Sequence, residues 1–167
     1  MSVEHHRAHG TRAVACAILT VSDTRTPETD TSGARTRELL IAAGHRVVDQ
    51  AILPDEPVQV RAYVEALLGH AGVDAILVNG GTGLAPRDTT YEAVAGLLEK
   101  RLDGFGELFR MLSFQEIGAA AMLSRAVAGV ARGKVVASMP GSTAAVELAM
   151  AKLLVPELGH MVKLAQG

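Results

Sequence analysis

Apolar runs and glycine- or proline-bearing breaks alternate along this chain so that each strand-like segment is followed by a helix-like one. Val14 to Val21 is a continuous apolar run, the pattern of a strand covered on both faces. Asp30-Thr31-Ser32-Gly33 supplies N-cap candidates for a helix through about Ala43, with Gly44 as its stop. Val47 to Leu53 predicts a second strand, broken by Pro54. A helix follows from Pro57 to about Gly69, its buried stripe being either Val60, Val64 and Leu67 or Tyr63 and Leu67. Asp74 to Asn79 predicts the third strand, which runs straight into Gly80-Gly81-Thr82-Gly83.

Thr89 and Glu92 have capping-box spacing for a helix to about Arg101. Gly104 to Ser124 predicts a helix in two pieces, with Phe105, Leu108, Phe109 and Leu112 at helical intervals. Val127 to Val130 and Val135 to Met139 predict antiparallel strands joined by a tight turn at Arg132-Gly133. Pro140-Gly141-Ser142 again ends a strand in a glycine turn and opens a helix at Thr143, an end that offers N–H groups to an anion. The last apolar helical stretch is broken at Pro156. The alternation predicts one α/β domain over residues 12–167, with helices on both faces of a mostly parallel sheet. Residues 1–11 read as a solvated tail. Ligands of such sheets sit beyond the carboxyl ends of the strands, where strand order reverses.

Composition narrows the function classes. A chain of 167 residues with 49% apolar and 20% charged positions suits one folded domain with an ample core. The formal charge, 16 − 18 = −2, comes with no long basic block, which argues against a duplex nucleic acid partner. No apolar stretch reaches the roughly 18 residues that span a bilayer. Met1 to Gly10 carries His5, His6 and His9 where a secretory signal needs an apolar segment, and a solvated tail pre-forms no metal site. Cys16 is the single cysteine, which fits a reducing cytoplasm and a small buried hydrophobe.

The densest chemistry lies in Asn79-Gly80-Gly81-Thr82-Gly83-Leu84-Ala85-Pro86-Arg87-Asp88. Glycines let the backbone approach phosphate oxygens, Arg87 adds charge-assisted bonds, and Asp88 is placed to hold a divalent metal beside the same phosphates. No Gly-Lys-Ser/Thr follows, so it is not a Walker loop, and a third glycine is missing from any dinucleotide fingerprint. Asp55 follows the second strand, where the residues alone read more as a helix cap or dipole partner; the meeting of adjacent parallel strand ends is what makes it a candidate second carboxylate at the same cleft. Ser22-Asp23, Gly80 to Gly83 and Pro140 to Ser142 are three strand ends that could converge. Ser113 with Glu116 could form a capping box between the two helical pieces, and Ser124-Arg125 could face a ligand.

With these motifs placed, the chain resembles the MoaB/Mog family of molybdenum cofactor biosynthesis from about Arg12 to its end. The resemblance rests on Ile18-Leu19-Thr20-Val21-Ser22-Asp23, Asp30-Thr31-Ser32-Gly33, Pro54-Asp55-Glu56, Gly80-Gly81-Thr82-Gly83 with Pro86-Arg87-Asp88, and Pro140-Gly141-Ser142. Gly104-Phe105-Gly106-Glu107, Phe109 to Gly118 and Ser124 to Val130 resemble the MoaB branch in particular. It implies a three-layer α/β/α sandwich, a homotrimer or a dimer of trimers, and exchange with other enzymes of that pathway. The activity implied is transfer of AMP from magnesium-bound ATP to the terminal phosphate of molybdopterin, with pyrophosphate released. Asp55 and Asp88 take the catalytic and magnesium-binding positions. Gly80, Gly81, Thr82, Gly83 and Arg87 take the nucleotide phosphates. Ser22, Asp23, Ser113, Ser124, Pro140, Gly141 and Ser142 take the pterin. The alternatives are a non-catalytic molybdopterin carrier and an enzyme acting on another nucleotide or pyrophosphate bond.

Overall fold

The computed structural model describes residues 12–167; the expected tail and its three histidines lie outside them. Six strands form one sheet: β1 Ala15–Val21, β2 Arg46–Leu53, β3 Ala75–Asn79, β4 Lys100–Arg101, β5 Val127–Ala131 and β6 Lys134–Met139. Their spatial order is β2-β1-β3-β6-β5-β4. β2, β1, β3 and β6 run parallel, while β5 is antiparallel to β6 and β4 to β5. The chain steps outward from β1 to β2, then returns to β3 on the other side of β1. That reversal opens a crevice between the carboxyl ends of β1 and β3.

The helices are α1 Thr31–Ala42, α2 Pro57–Leu68, α3 Thr90–Ala95, α4 Asp103–Ile117, α5 Thr143–Ala149 and α6 Val155–Gln166. Period-2 alternation along the buried strands divides the core. Cys16, Ile18, Leu77, Ala137 and Met139 face a layer with Leu40 of α1, Phe105 and Phe109 of α4, and Leu158 of α6. Ala17, Leu19, Ile76, Val78 and Val136 face Val60, Val64 and Leu67 of α2 and Val94 of α3. The fold is therefore a three-layer α/β/α sandwich. Of the two stripes read for α2, Val60, Val64 and Leu67 is the buried one and Tyr63 is only partly covered. No helix among the described residues is long and apolar enough to cross a membrane.

Several cap and turn signals hold. Asp30 caps α1 by accepting the Gly33 N–H at 2.9 Å, and Gly44 leaves the helix at φ +85°. Arg132 and Gly133 both have positive φ, the conformation that a two-residue hairpin turn demands.

Four expectations are corrected by packing. The helix from Thr89 stops at Ala95, because the chain then joins the sheet: Glu99 N–H donates to Val130 at 2.9 Å and Leu102 N–H to Ala128 at 2.7 Å, flanking β4. Thr89 and Glu92 form no capping box, since the Thr89 hydroxyl donates to Asp55 and Glu92 pairs with Arg125. Ser113 and Glu116 form none either: α4 runs on to Ile117, a 3₁₀ turn Gly118–Leu123 follows, and the break falls at Gly118 with φ +67°. Pro156 does not end the last helix. A π-helical turn, Met150–Leu154, widens the spiral ahead of it, so the missing N–H and the ring are accommodated and α6 continues.

Candidate functional site

A cleft of about 400 Å³ opens at the carboxyl edge of β1, β3 and β6. Thr20, Val21, Ser22 and Arg25 line it from β1, Asn79 and the Gly80–Gly83 loop from β3, and Pro140 and Gly141 from β6; Asp88, Leu123 and Ser124 complete the rim. All three strand ends singled out in the sequence thus converge on it.

The glycine loop is shaped by what stands against it. Gly80 and Gly81 adopt φ +100° and +65°, conformations that favour glycine. A Cβ on Gly80 would lie 2.1 Å from the Val21 carbonyl oxygen. One on Gly81 would lie 2.6 Å from Asp55 Oδ2, and one on Gly83 2.5 Å from Asp88 Oδ2. Asp55 and Asp88 therefore flank one loop, each pressed against a position that only glycine leaves open. Gly80 N–H is taken by the Met139 carbonyl at 3.0 Å. The Gly81 carbonyl accepts Thr90 N–H at 3.0 Å, and those of Thr82 and Gly83 accept Arg125 at 2.8 and 2.7 Å. In a trans peptide the N–H points opposite its carbonyl, so the N–H groups of Thr82, Gly83 and Leu84 turn away from Thr90 and Arg125.

Asp55 is buried, and its Oδ1 accepts from Thr89 N–H at 3.3 Å, the Thr89 hydroxyl at 3.0 Å and the Thr90 hydroxyl at 3.3 Å. It ties α3 to the end of β2. Asp88 is less enclosed and accepts Ala85 N–H at 3.2 Å while lining the cleft. Arg87 is exposed and clamped between two carboxylates, Asp23 (Nη2–Oδ1 2.9 Å) and Glu56 (3.1 Å). That pairing, together with the Asp55 N–H, holds the Asp23 carboxyl below the usual carboxylate range. Arg87 thus fastens the glycine loop to the ends of β1 and β2, and it does not line the cleft.

Two other arginines approach the loops. Arg25, half-buried in the cleft wall, bonds the Gly141 carbonyl at 3.0 Å and Asp30 at 3.4 Å. It carries no motif of its own in the sequence, and its only signal there is a position three residues after Ser22 in the β1 exit loop. Arg125, besides holding the two loop carbonyls, stacks 4.8 Å over Tyr91 and pairs with Glu92, whose carboxyl it depresses.

The other expected residues are placed as follows. Ser22 Oγ accepts the N–H groups of Thr24 and Arg25 at 3.2 and 3.0 Å, pinning the β1 exit turn. Ser142 Oγ caps α5 through Ala145 N–H at 3.2 Å. Ser113 is buried inside α4 and does not line the cleft. Ser32 donates to the Gly141 carbonyl at 2.7 Å, and Thr31 bonds Thr143 at 2.8 Å, so the start of α1 is joined directly to the β6 exit loop and the start of α5. Asn79 stands in the sequence as the last residue of a strand and is given no role of its own there. It is buried on the cleft floor, and its Oδ1 has no hydrogen-bond partner.

A family model described as "Probable molybdopterin binding domain" matches residues 17–160. A molybdenum cofactor biosynthesis protein B of Halalkalibacterium halodurans is 58% identical over 164 residues, 98% of this chain and 96% of that one. A solved molybdenum cofactor biosynthesis protein B superposes with a TM-score of 0.90 at 52% identity, over 93% of this chain and 97% of the other. A tungsten cofactor synthesizing protein MoaB from Pyrococcus furiosus gives 0.84 at 34% identity, over 93% and 99%.

Proposed function

The chain belongs to the MoaB/Mog family of molybdenum cofactor biosynthesis proteins, and from that premise we propose that it binds molybdopterin in this cleft and transfers AMP to it from magnesium-bound ATP. The observation that carries the proposal is the loop Gly80–Gly83 at the cleft, with Asp55 and Asp88 each against one of its glycines. A terminal phosphate oxygen of molybdopterin forms a bond to the α-phosphorus of ATP. The bond from that phosphorus to the bridging oxygen breaks, and pyrophosphate leaves. The nucleophile is already an anion, so alignment and charge stabilisation are what the protein supplies.

The N–H groups of Thr82, Gly83 and Leu84 hold phosphate oxygens, and Arg25 adds positive charge on the β1 side. Arg87 acts by keeping the loop and Asp23 in register. Ser22, Ser124, Pro140 and Gly141 receive the pterin end. Among the described residues no three acidic, histidine or cysteine side chains gather into a closed metal cage. One or two carboxylates suit a magnesium ion that arrives on a triphosphate and keeps phosphate oxygens and water in its shell. Asp88, and Asp55 through Oδ2, would hold it, and it would neutralise the triphosphate and the departing pyrophosphate.

Self-association is part of the proposal. Leu108, Met111, Phe114 and Ile117 form an exposed apolar stripe on α4, extended by Met122 and by Leu123 at the cleft rim. A second copy of the chain is the occupant that the family resemblance supplies, as a homotrimer or a dimer of trimers. Residual surface of this kind is otherwise uncommon on a monomer.

Incubation with molybdopterin, ATP and magnesium, followed by mass detection of adenylyl-molybdopterin, tests the reaction; ATP left intact beside bound pterin would refute it. One observation favours a non-catalytic carrier instead: Asp55 Oδ1 is fully engaged by Thr89 and Thr90, as in a structural brace. That reading expects pterin retention with no AMP transfer.

A further inference from the structure

Two buried side-chain oxygens lack a partner among the described residues, Asn79 Oδ1 and Ser138 Oγ. Ser138 lies within β6 and does not line the cleft, whereas Asn79 does. The orientation of the Asn79 amide follows from its neighbours. Asp30 is an acceptor only, so the Thr20 hydroxyl, 2.7 Å away, must give it its proton. Thr20 can then only accept from Asn79, and the atom 3.0 Å from it must be the amide nitrogen. Asp30 is itself fixed by the Gly33 N–H and by Arg25. The relay leaves the Asn79 carbonyl oxygen without a donor just beneath the lining of the cleft, near Gly141, where a Cβ would come within 4.0 Å of it.

A buried acceptor left unpaired is costly, and such groups persist where something outside the chain satisfies them. We propose that Asn79 is a specificity-determining residue of this cleft: its Oδ1 accepts a hydrogen bond from the exocyclic amino group of the bound heterocycle. This deepens the proposed function and rests on its placing a substrate heterocycle here. Pterin and adenine both present such a donor edge. The Thr20–Asp30 relay acts as the positioning element, since it prevents the amide from flipping to offer its NH₂ instead. A ligand with an acceptor in place of that donor then meets oxygen against oxygen.

The test is an equilibrium binding cycle without turnover. 6-Hydroxymethylpterin and the corresponding lumazine, whose amino group is replaced by oxygen, are compared as competitors of molybdopterin. ATP and purine riboside triphosphate, which lacks the amino group, are compared directly. Both pairs are measured on the wild type and on Asn79→Leu. In one pair the wild type prefers the amino-bearing member by about tenfold or more, and Asn79→Leu reduces that preference to less than about threefold. The pair that responds identifies which heterocycle occupies the floor. Equal weakening of all four ligands, or a preference unchanged by the substitution in both pairs, would overturn the inference. Should Asn79→Leu fail to fold, Asn79→Ser replaces it, and a wild type that discriminates in neither pair is already a refutation. A wild type that shows the Asn79-dependent preference but transfers no AMP would leave this inference standing and remove the adenylyl-transfer reading; one that binds neither heterocycle removes both.

Discussion

Replacing Gly80 by alanine tests the geometry on which the cleft depends. Gly80 sits at φ +100°, and its new Cβ would fall 2.1 Å from the Val21 carbonyl oxygen and 3.1 Å from the carbonyl carbon. Neither side can yield easily. Val21 is held in the ladder beside Leu53, and Gly80 is tied to the Met139 carbonyl. The unfavourable φ costs roughly 1–3 kcal/mol, and forcing a methyl into a packed strand junction adds roughly 1–3 kcal/mol. The sum is about 2–6 kcal/mol. In a domain of this size each kcal/mol lowers Tm by roughly 2–4 °C, so a fall of about 4–24 °C is expected. Gly104→Ala is the matched control: it lies in the first turn of α4 with nothing within 4 Å of its Cβ. There alanine should leave Tm unchanged or raise it slightly, through the roughly 0.5–1 kcal/mol gained in a helix. Thermal unfolding by circular dichroism reads both. If Gly80→Ala melts within about 2 °C of wild type, or if Gly104→Ala loses as much, the close approach of β1 and β3 under the cleft is wrong.

Asp88→Asn keeps an oxygen for the Ala85 N–H, so the fold should persist while single-turnover AMP transfer falls on the order of 10²-fold or more; unchanged transfer would remove Asp88 from the mechanism. Asp55→Asn weakens three bonds to a charged acceptor and should lower both Tm and turnover, with weaker magnesium dependence in a titration. Burial, and secondarily Asp74, pushes the Cys16 thiol up to about 12. The unfolded thiol ionises above about pH 8.5, so this contribution to stability is lost progressively between about pH 9 and 12, at up to about 1.4 kcal/mol per pH unit. Urea midpoints at pH 8, 9 and 10 should therefore fall more steeply for wild type than for Cys16→Ala, and parallel limbs would refute it. Phe114→Glu, on the exposed α4 stripe, should convert an assembly of 17.4 kDa chains into monomers by sedimentation; a wild type already monomeric would end the self-association proposal.

What the sequence by itself determined was most of what near neighbours along the chain carry, although the capping boxes at Thr89–Glu92 and Ser113–Glu116 and the break at Pro156 gave way to packing. Apolar runs such as Val14 to Val21, the Asp30 cap, the Gly44 stop, the Arg132-Gly133 turn and the glycine loop after β3 are set by periodicity and turn chemistry within a few residues. The family, the three-layer architecture and the convergence of three strand ends followed from those pieces. Only the tertiary structure decided which side chains face the cleft. Arg87, adjacent in sequence to the loop, is drawn away by Asp23 and Glu56, while Arg25, 54 positions before Asn79, stands in the cleft wall. Asp55 meets Thr89 and Thr90, Asn79 meets Thr20, and Lys100–Arg101 becomes a strand because β5 offers it an edge. The physical reason is that hydrogen-bond partners and charge neighbours are assigned by strand order. A sheet ordered β2-β1-β3-β6-β5-β4 brings together residues that no spacing along the chain relates.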